Sequence, residues 1–82
     1  MSADHTPGDV HDLETSLWVG KGGIDPVVDE LAEQLDHHDL VKVKFLRAAR
    51  TSHTTEELAV ELADRAGADV FETRGHTAVF SG

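Results

Sequence analysis

The chain contains no cysteine among its 82 residues. Neither a disulfide nor a thiolate-bound metal can therefore staple the fold, and no thiol nucleophile is available. Stability has to come from packing, and a chain of this length provides one core, near the size at which a single core only marginally sustains a domain. Long hydrophobic runs are missing as well. No apolar stretch reaches the ~20 residues of a membrane-spanning helix, and the first residues are polar and acidic, without the apolar centre of a secretory signal. These absences predict a soluble, cytoplasmic, single-domain protein with no membrane association. Aromatic residues are scarce too: only Trp18, Phe45, Phe71 and Phe80 occur, each in an apolar setting that predicts core packing rather than base stacking.

Positive charge is the other scarcity. Seven Lys and Arg face 16 Asp and Glu, which leaves a formal net charge of -9 and a sequence pI of about 4.8. On so short a chain that self-repulsion opposes compactness unless salt screens it. Two explanations fit: a salt-rich cytosol, in which an acidic surface keeps a protein hydrated, or a basic partner. The few cations are not spread evenly. None precedes Lys21, and five of the seven fall between residues 21 and 50, so an acidic molecule with one locally basic zone is expected.

What is present is organised around Leu17-Trp18-Val19-Gly20-Lys21-Gly22-Gly23-Ile24-Asp25-Pro26. An apolar run breaks into three glycines within four residues, and Asp25-Pro26 then supplies an N-cap and an N1 proline, so the stretch reads as strand, glycine loop, helix. Glycine lets the backbone approach a ligand closely, and the helix start behind it offers unpaired N–H groups and a partial positive charge. Phosphate is the ligand such a loop suits. By itself, however, a short glycine cluster is more often a plain turn between strand and helix.

Before this stretch, residues 1–14 lack periodicity and carry Pro7-Gly8, which predicts a disordered or frayed acidic lead-in; the domain proper is expected over residues 15–82. His5 and His11 read as solvated tail residues and His37-His38-Asp39 as a polar turn, so no metal site and no cofactor is expected. Strand one is placed at about residues 15–19. Helix one is placed at about 26–36, since Val27, Val28, Leu31, Ala32 and Leu35 recur at helical spacing while Asp29, Glu30 and Glu33 face water. From Leu40 to Leu46, Val41, Val43 and Phe45 alternate with Lys42 and Lys44, the period of a half-buried strand with one cationic face. Arg47 and Arg50 extend that charge into the next connection. Thr54-Thr55-Glu56-Glu57 forms a capping box for a second helix with a stripe of Leu58, Ala59, Leu62, Ala63 and Ala66, closed by Gly67. Ala68 to Arg74 and Thr77 to Phe80 flank Gly75-His76 as a hairpin. The order β-α-β-α-β-β predicts an α+β layered fold in which a mixed four-stranded sheet packs against two helices.

Several segments together resemble one family. Trp18-Val19-Gly20-Lys21-Gly22-Gly23-Ile24, then Asp36-His37-His38-Asp39-Leu40-Val41-Lys42-Val43-Lys44, then Ala66-Gly67-Ala68 and Arg74-Gly75-His76-Thr77-Ala78-Val79-Phe80 are similar, in order and spacing, to the CRM domain. This is the chloroplast RNA splicing and ribosome maturation domain, whose stand-alone prokaryotic members are the YhbY-like proteins. The resemblance covers roughly residues 16–80. It implies an RNA-binding protein associated with maturation of the large ribosomal subunit, and a fold similar to the C-terminal domain of bacterial translation initiation factor three. It also implies that the family's GxxG loop corresponds to Gly20, Lys21, Gly22 and Gly23 and lies against the RNA backbone, with the basic strand supplied by Lys42 and Lys44 and followed by Arg47 and Arg50.

The function expected is thus a monomeric, non-catalytic RNA-binding module whose partner is large-subunit ribosomal RNA or its precursor. The alternative is a protein-interaction module that docks its acidic helices on a basic ribosomal protein. An enzyme is not expected. The sequence offers no nucleophile with a partnered base, and residues 20–23 have neither the length of a Walker loop nor its Lys-Ser/Thr ending.

Overall fold

A computed structural model describes residues 13–82, so most of the lead-in expected over residues 1–14 lies outside the described residues. The elements follow the predicted order: β1 (Thr15–Val19), α1 (Asp25–Leu35), β2 (Leu40–Phe45), α2 (Thr55–Ala66), β3 (Asp69–Arg74) and β4 (Thr77–Ser81), with a short 3-10 helix at Arg47–Arg50 inside the second connection.

Local chemistry accounts for most boundaries. Thr54 caps α2: its Oγ1 accepts from the Glu57 amide at 3.1 Å, while the Glu57 carboxylate accepts from the Thr54 amide at 2.9 Å, satisfying two of the amides a helix start leaves over. Gly67 ends the helix at φ 71°, the left-handed conformation that glycine adopts without strain. The start of α1 differs from expectation. Ile24, not Asp25, occupies the N-cap, without a side-chain cap bond, and Asp25 is already helical. Its carboxylate is drawn instead to the guanidinium of Arg65, 40 positions along the chain, which also holds Glu61 at 3.0 Å.

The four strands form one sheet in the order β1-β2-β4-β3. β2 runs parallel to β1, and β4 is antiparallel to both its neighbours. The crossovers β1–α1–β2 and β2–α2–β3 step in the same direction across the sheet, and crossovers of one hand that do so lay both helices on one face. The two helices accordingly pack on each other and on that face. The core between the layers contains Leu17, Val19, Val41, Val43, Phe45, Ala78 and Phe80 from the sheet, met by Val27, Leu31, Leu58, Leu62 and their neighbours. Two of the four aromatics do not take the place expected of them: Phe45 and Phe80 are fully buried, but Trp18 is 54% and Phe71 53% exposed. In β1 the alternation that buries Leu17 and Val19 turns Trp18 outward. In β3 the pairing slips between Val70 and Glu72, leaving Phe71 at a bulge.

The acidic side chains of the helices, among them Asp29, Glu30, Glu33, Glu56, Glu61 and Asp64, all face water. Their mutual repulsion opposes a small core, and salt relieves it. The melting temperature is therefore expected to rise by at least about 5 °C, roughly 1 kcal/mol, between dilute buffer and molar potassium chloride. Circular dichroism across a salt series measures it; a flat response would remove the salt-rich cytosol as the reason for the acidic composition.

Candidate nucleic-acid interface

One end of the sheet gathers the glycine loop, the stretch after β2 and the tip of the β3–β4 hairpin. Backbone hydrogen bonds fasten them together: the Leu46 amide donates to the Val19 carbonyl at 2.8 Å, and the Phe45 amide to the His76 carbonyl at 2.8 Å. The loop itself is closed by the Gly23 amide donating to the Gly20 carbonyl at 2.9 Å, a tight turn that leaves Lys21 and Gly22 at its exposed tip.

The three glycines stand there for different reasons. Gly23 has φ 78°, which a side chain would strain. Gly20 and Gly22 do not need glycine for the fold. A Cβ on Gly20 would meet Leu46 Cδ1 at 3.6 Å and one on Gly22 would meet Pro26 Cγ at 3.5 Å, both ordinary contacts. At these two positions the fold would accept a side chain, and its absence leaves the backbone open to close approach. α1 starts directly behind with no side chain bonded at its N-cap Ile24, although Pro26 has no amide N–H and the Val27 amide already donates to the Ile24 carbonyl at 2.9 Å. The arrangement suits a phosphate.

The expected basic residues divide by position. Lys42 and Lys44 project from the sheet face opposite Val41, Val43 and Phe45, with Lys44 exposed and Lys42 half-buried. Lys44 pairs across the sheet with Trp18 of β1, next to the loop. Arg47 is exposed at the start of the 3-10 helix, one residue past the Leu46–Val19 bond, so Lys21, Lys44 and Arg47 cluster at this end of the sheet, with Lys42 further down β2. Arg50 is tied down: its Nε donates to the Phe45 carbonyl at 2.9 Å, so part of its guanidinium holds the turn after β2. Arg74, which the sequence reading left out of the basic set, ends β3 at the same end of the sheet and is exposed. Its separation from Lys44 by 30 residues hid it; only the hairpin register could have suggested it.

Comparison with known proteins agrees with this architecture. The family model for the CRS1 / YhbY (CRM) domain matches residues 4–80. The Methanocaldococcus jannaschii protein named Probable RNA-binding protein MJ0652 is 39% identical over 66 residues, an alignment that covers 80% of this chain and 49% of the relative; the chain thus spans about half the length of that protein. The solution structure of the hypothetical protein SAV1595 from Staphylococcus aureus superposes with a TM-score of 0.71 at 23% identity, covering 90% of this chain and 76% of the other, a likeness of fold. A β-α-β-α-β-β chain, a bare glycine loop beside a basic strand and a family match over nearly its whole length lead to one assignment: this chain belongs to the CRS1/YhbY (CRM) domain family.

Proposed function

We propose that the protein is a cytoplasmic, monomeric, non-catalytic module that binds large-subunit ribosomal RNA or its precursor during maturation of the subunit. In this reading a phosphate rests on Gly20, Lys21, Gly22 and Gly23, while Lys42, Lys44, Arg47 and the free part of the Arg50 guanidinium follow the RNA backbone. The observation that carries it is the loop: Gly20 and Gly22 are bare where the fold would accept a side chain, in the one zone where this acidic chain concentrates its cations. At high salt counterion release contributes little, so amide contacts, RNA shape and 2′-hydroxyls have to supply more of the affinity. Fluorescence titration with structured ribosomal RNA fragments in molar potassium chloride tests binding, and co-sedimentation with immature large subunits tests the context. Absence from those particles would sink the maturation role.

A second reading has an observation of its own. Val60 is 62% exposed on α2, ringed by Glu56, Glu57, Glu61 and Asp64, an apolar spot in an acidic surround that would suit a basic ribosomal protein. Two variants separate the readings. Lys42 and Lys44 lie off the core, so changing both to Gln is expected to weaken RNA binding several-fold, as two phosphate contacts are lost, with the melting temperature within a few degrees of the parent. Arg65→Gln removes ion pairs to exposed Asp25 and Glu61, worth at most about 1 kcal/mol at the surface. It is expected to lower the melting temperature slightly and leave RNA affinity alone. Equal losses of affinity from both would mean that total charge, not this surface, governs binding.

A further inference from the structure

The face of the sheet turned away from the helices carries a transverse row of four side chains at the end nearest the glycine loop. Trp18 of β1 pairs with Lys44 of β2, Lys44 with Thr77 of β4, and Thr77 with Arg74 of β3. Strands lie about 4.8 Å apart, so the row is roughly 14 Å long. Trp18 is 54% exposed at one end, and Lys44 and Arg74 are exposed along it. The Thr77 hydroxyl donates to the Arg74 carbonyl at 2.8 Å.

Charge on this face is graded. The row nearest the loop holds two cations; the next sets Lys42, Val79 and Glu72 side by side, and the one beyond sets Leu40, Ser81 and Asp69. A polyanion on this face is thus drawn to the end where the exposed indole stands. Exposing a tryptophan forgoes a large apolar burial. In β1, moreover, Leu17 and Val19 already supply the inward side chains, so the indole has no packing duty to the helices.

Resting on the RNA-binding reading above, we propose that this row is a seat for an unpaired nucleotide: Trp18 stacks its base, Lys44 takes the adjacent phosphate, and Arg74 takes a phosphate further along the strand. Duplex bases are already stacked on one another and offer no free face, whereas a bulged or looped base does. The loop then grips backbone irrespective of pairing, and the sheet face selects RNA that has a base to give.

Trp18 is the only tryptophan and the chain has no tyrosine, so its emission reports the event directly. The experiment titrates the full chain with two RNA hairpins that differ only in one unpaired adenosine bulged from the stem, using the parent, Trp18→Ala and Trp18→Phe. The parent is expected to bind the bulged hairpin about tenfold tighter, the usual scale of one base–aromatic stack, with quenching of the indole. Trp18→Ala is expected to lose that preference while keeping its affinity for the paired hairpin within about twofold, and Trp18→Phe to keep most of the preference. A parent that binds both hairpins equally, with unchanged emission, overturns the seat and leaves RNA binding intact. An alanine variant that weakens both hairpins equally overturns stacking too. If neither hairpin nor any ribosomal RNA fragment binds the parent, the RNA-binding reading falls and the seat falls with it. Circular dichroism verifies that both variants fold.

Discussion

Replacing Lys21 and Gly22 together by Asp is expected to lower affinity for structured RNA at least about tenfold, roughly 1.4 kcal/mol, without unfolding the protein. Both residues are exposed at the tip of the turn, and the nearest atom to a side chain at Gly22 would be Pro26 Cγ at 3.5 Å, so the fold accepts the change. The bond that closes the turn, from the Gly23 amide to the Gly20 carbonyl, involves neither residue. What changes is the field: one positive charge is removed and two negative ones are placed where a phosphate would rest, while a Cβ appears where the backbone was bare. Because these charges sit at the contact itself, salt screens them less than charges a Debye length away, and the loss should persist in molar potassium chloride. Titration of parent and variant against the same RNA fragment, with circular dichroism as the control for folding, decides it. Unchanged affinity in a folded variant would reduce the loop to a turn between strand and helix.

Phe45→Ala should have the opposite signature, losing the fold and, with it, the binding. Phe45 is fully buried at the end of β2, and its backbone is the junction of the site, the amide bonded to the His76 carbonyl and the carbonyl to Arg50 Nε. Truncating a buried phenylalanine costs about 3–5 kcal/mol. Small domains hold little more than that in reserve, total stabilities starting near 5 kcal/mol, and the repulsion of a -9 chain weakens this one further in dilute buffer. The variant is therefore expected to be largely unfolded at low salt and to regain structure in part as potassium chloride is raised, since screening acts on the repulsion and not on the cavity. Urea unfolding at two salt concentrations measures both effects. A fall in melting temperature of less than about 5 °C, which corresponds to ~1 kcal/mol, would show that the core does not depend on this side chain.

The two variants also separate what the chain encodes locally from what it encodes through the fold. The elements were legible because their signals act over a few residues. Thr54 and Glu57 cap α2 because they stand three positions apart; Gly67 ends it because only glycine enters the left-handed region freely; Gly75, at φ 59°, turns the hairpin for the same reason. Alternation likewise placed Val41, Val43 and Phe45 inward and the two lysines outward. The glycine loop was readable too, with Lys42 and Lys44 beside it, because a strand, its loop and its period are contiguous or nearly so. Nothing local sets the strand order, in which β4 lies between β2 and β3; that comes from which faces bury best once both helices are laid down. The consequences are long-range. Asp25 leaves its expected capping role for Arg65, because α1 and α2 pack side by side. Arg74 reaches the basic end of the sheet through β4, and Trp18 joins it in one row through the registers of three strand pairs. The sequence by itself therefore determined the elements, the glycine loop and the cationic strand. Tertiary structure alone decided which distant side chains share the open face, because strand pairing is set by burial across the whole sheet rather than by any residue's neighbours in the chain.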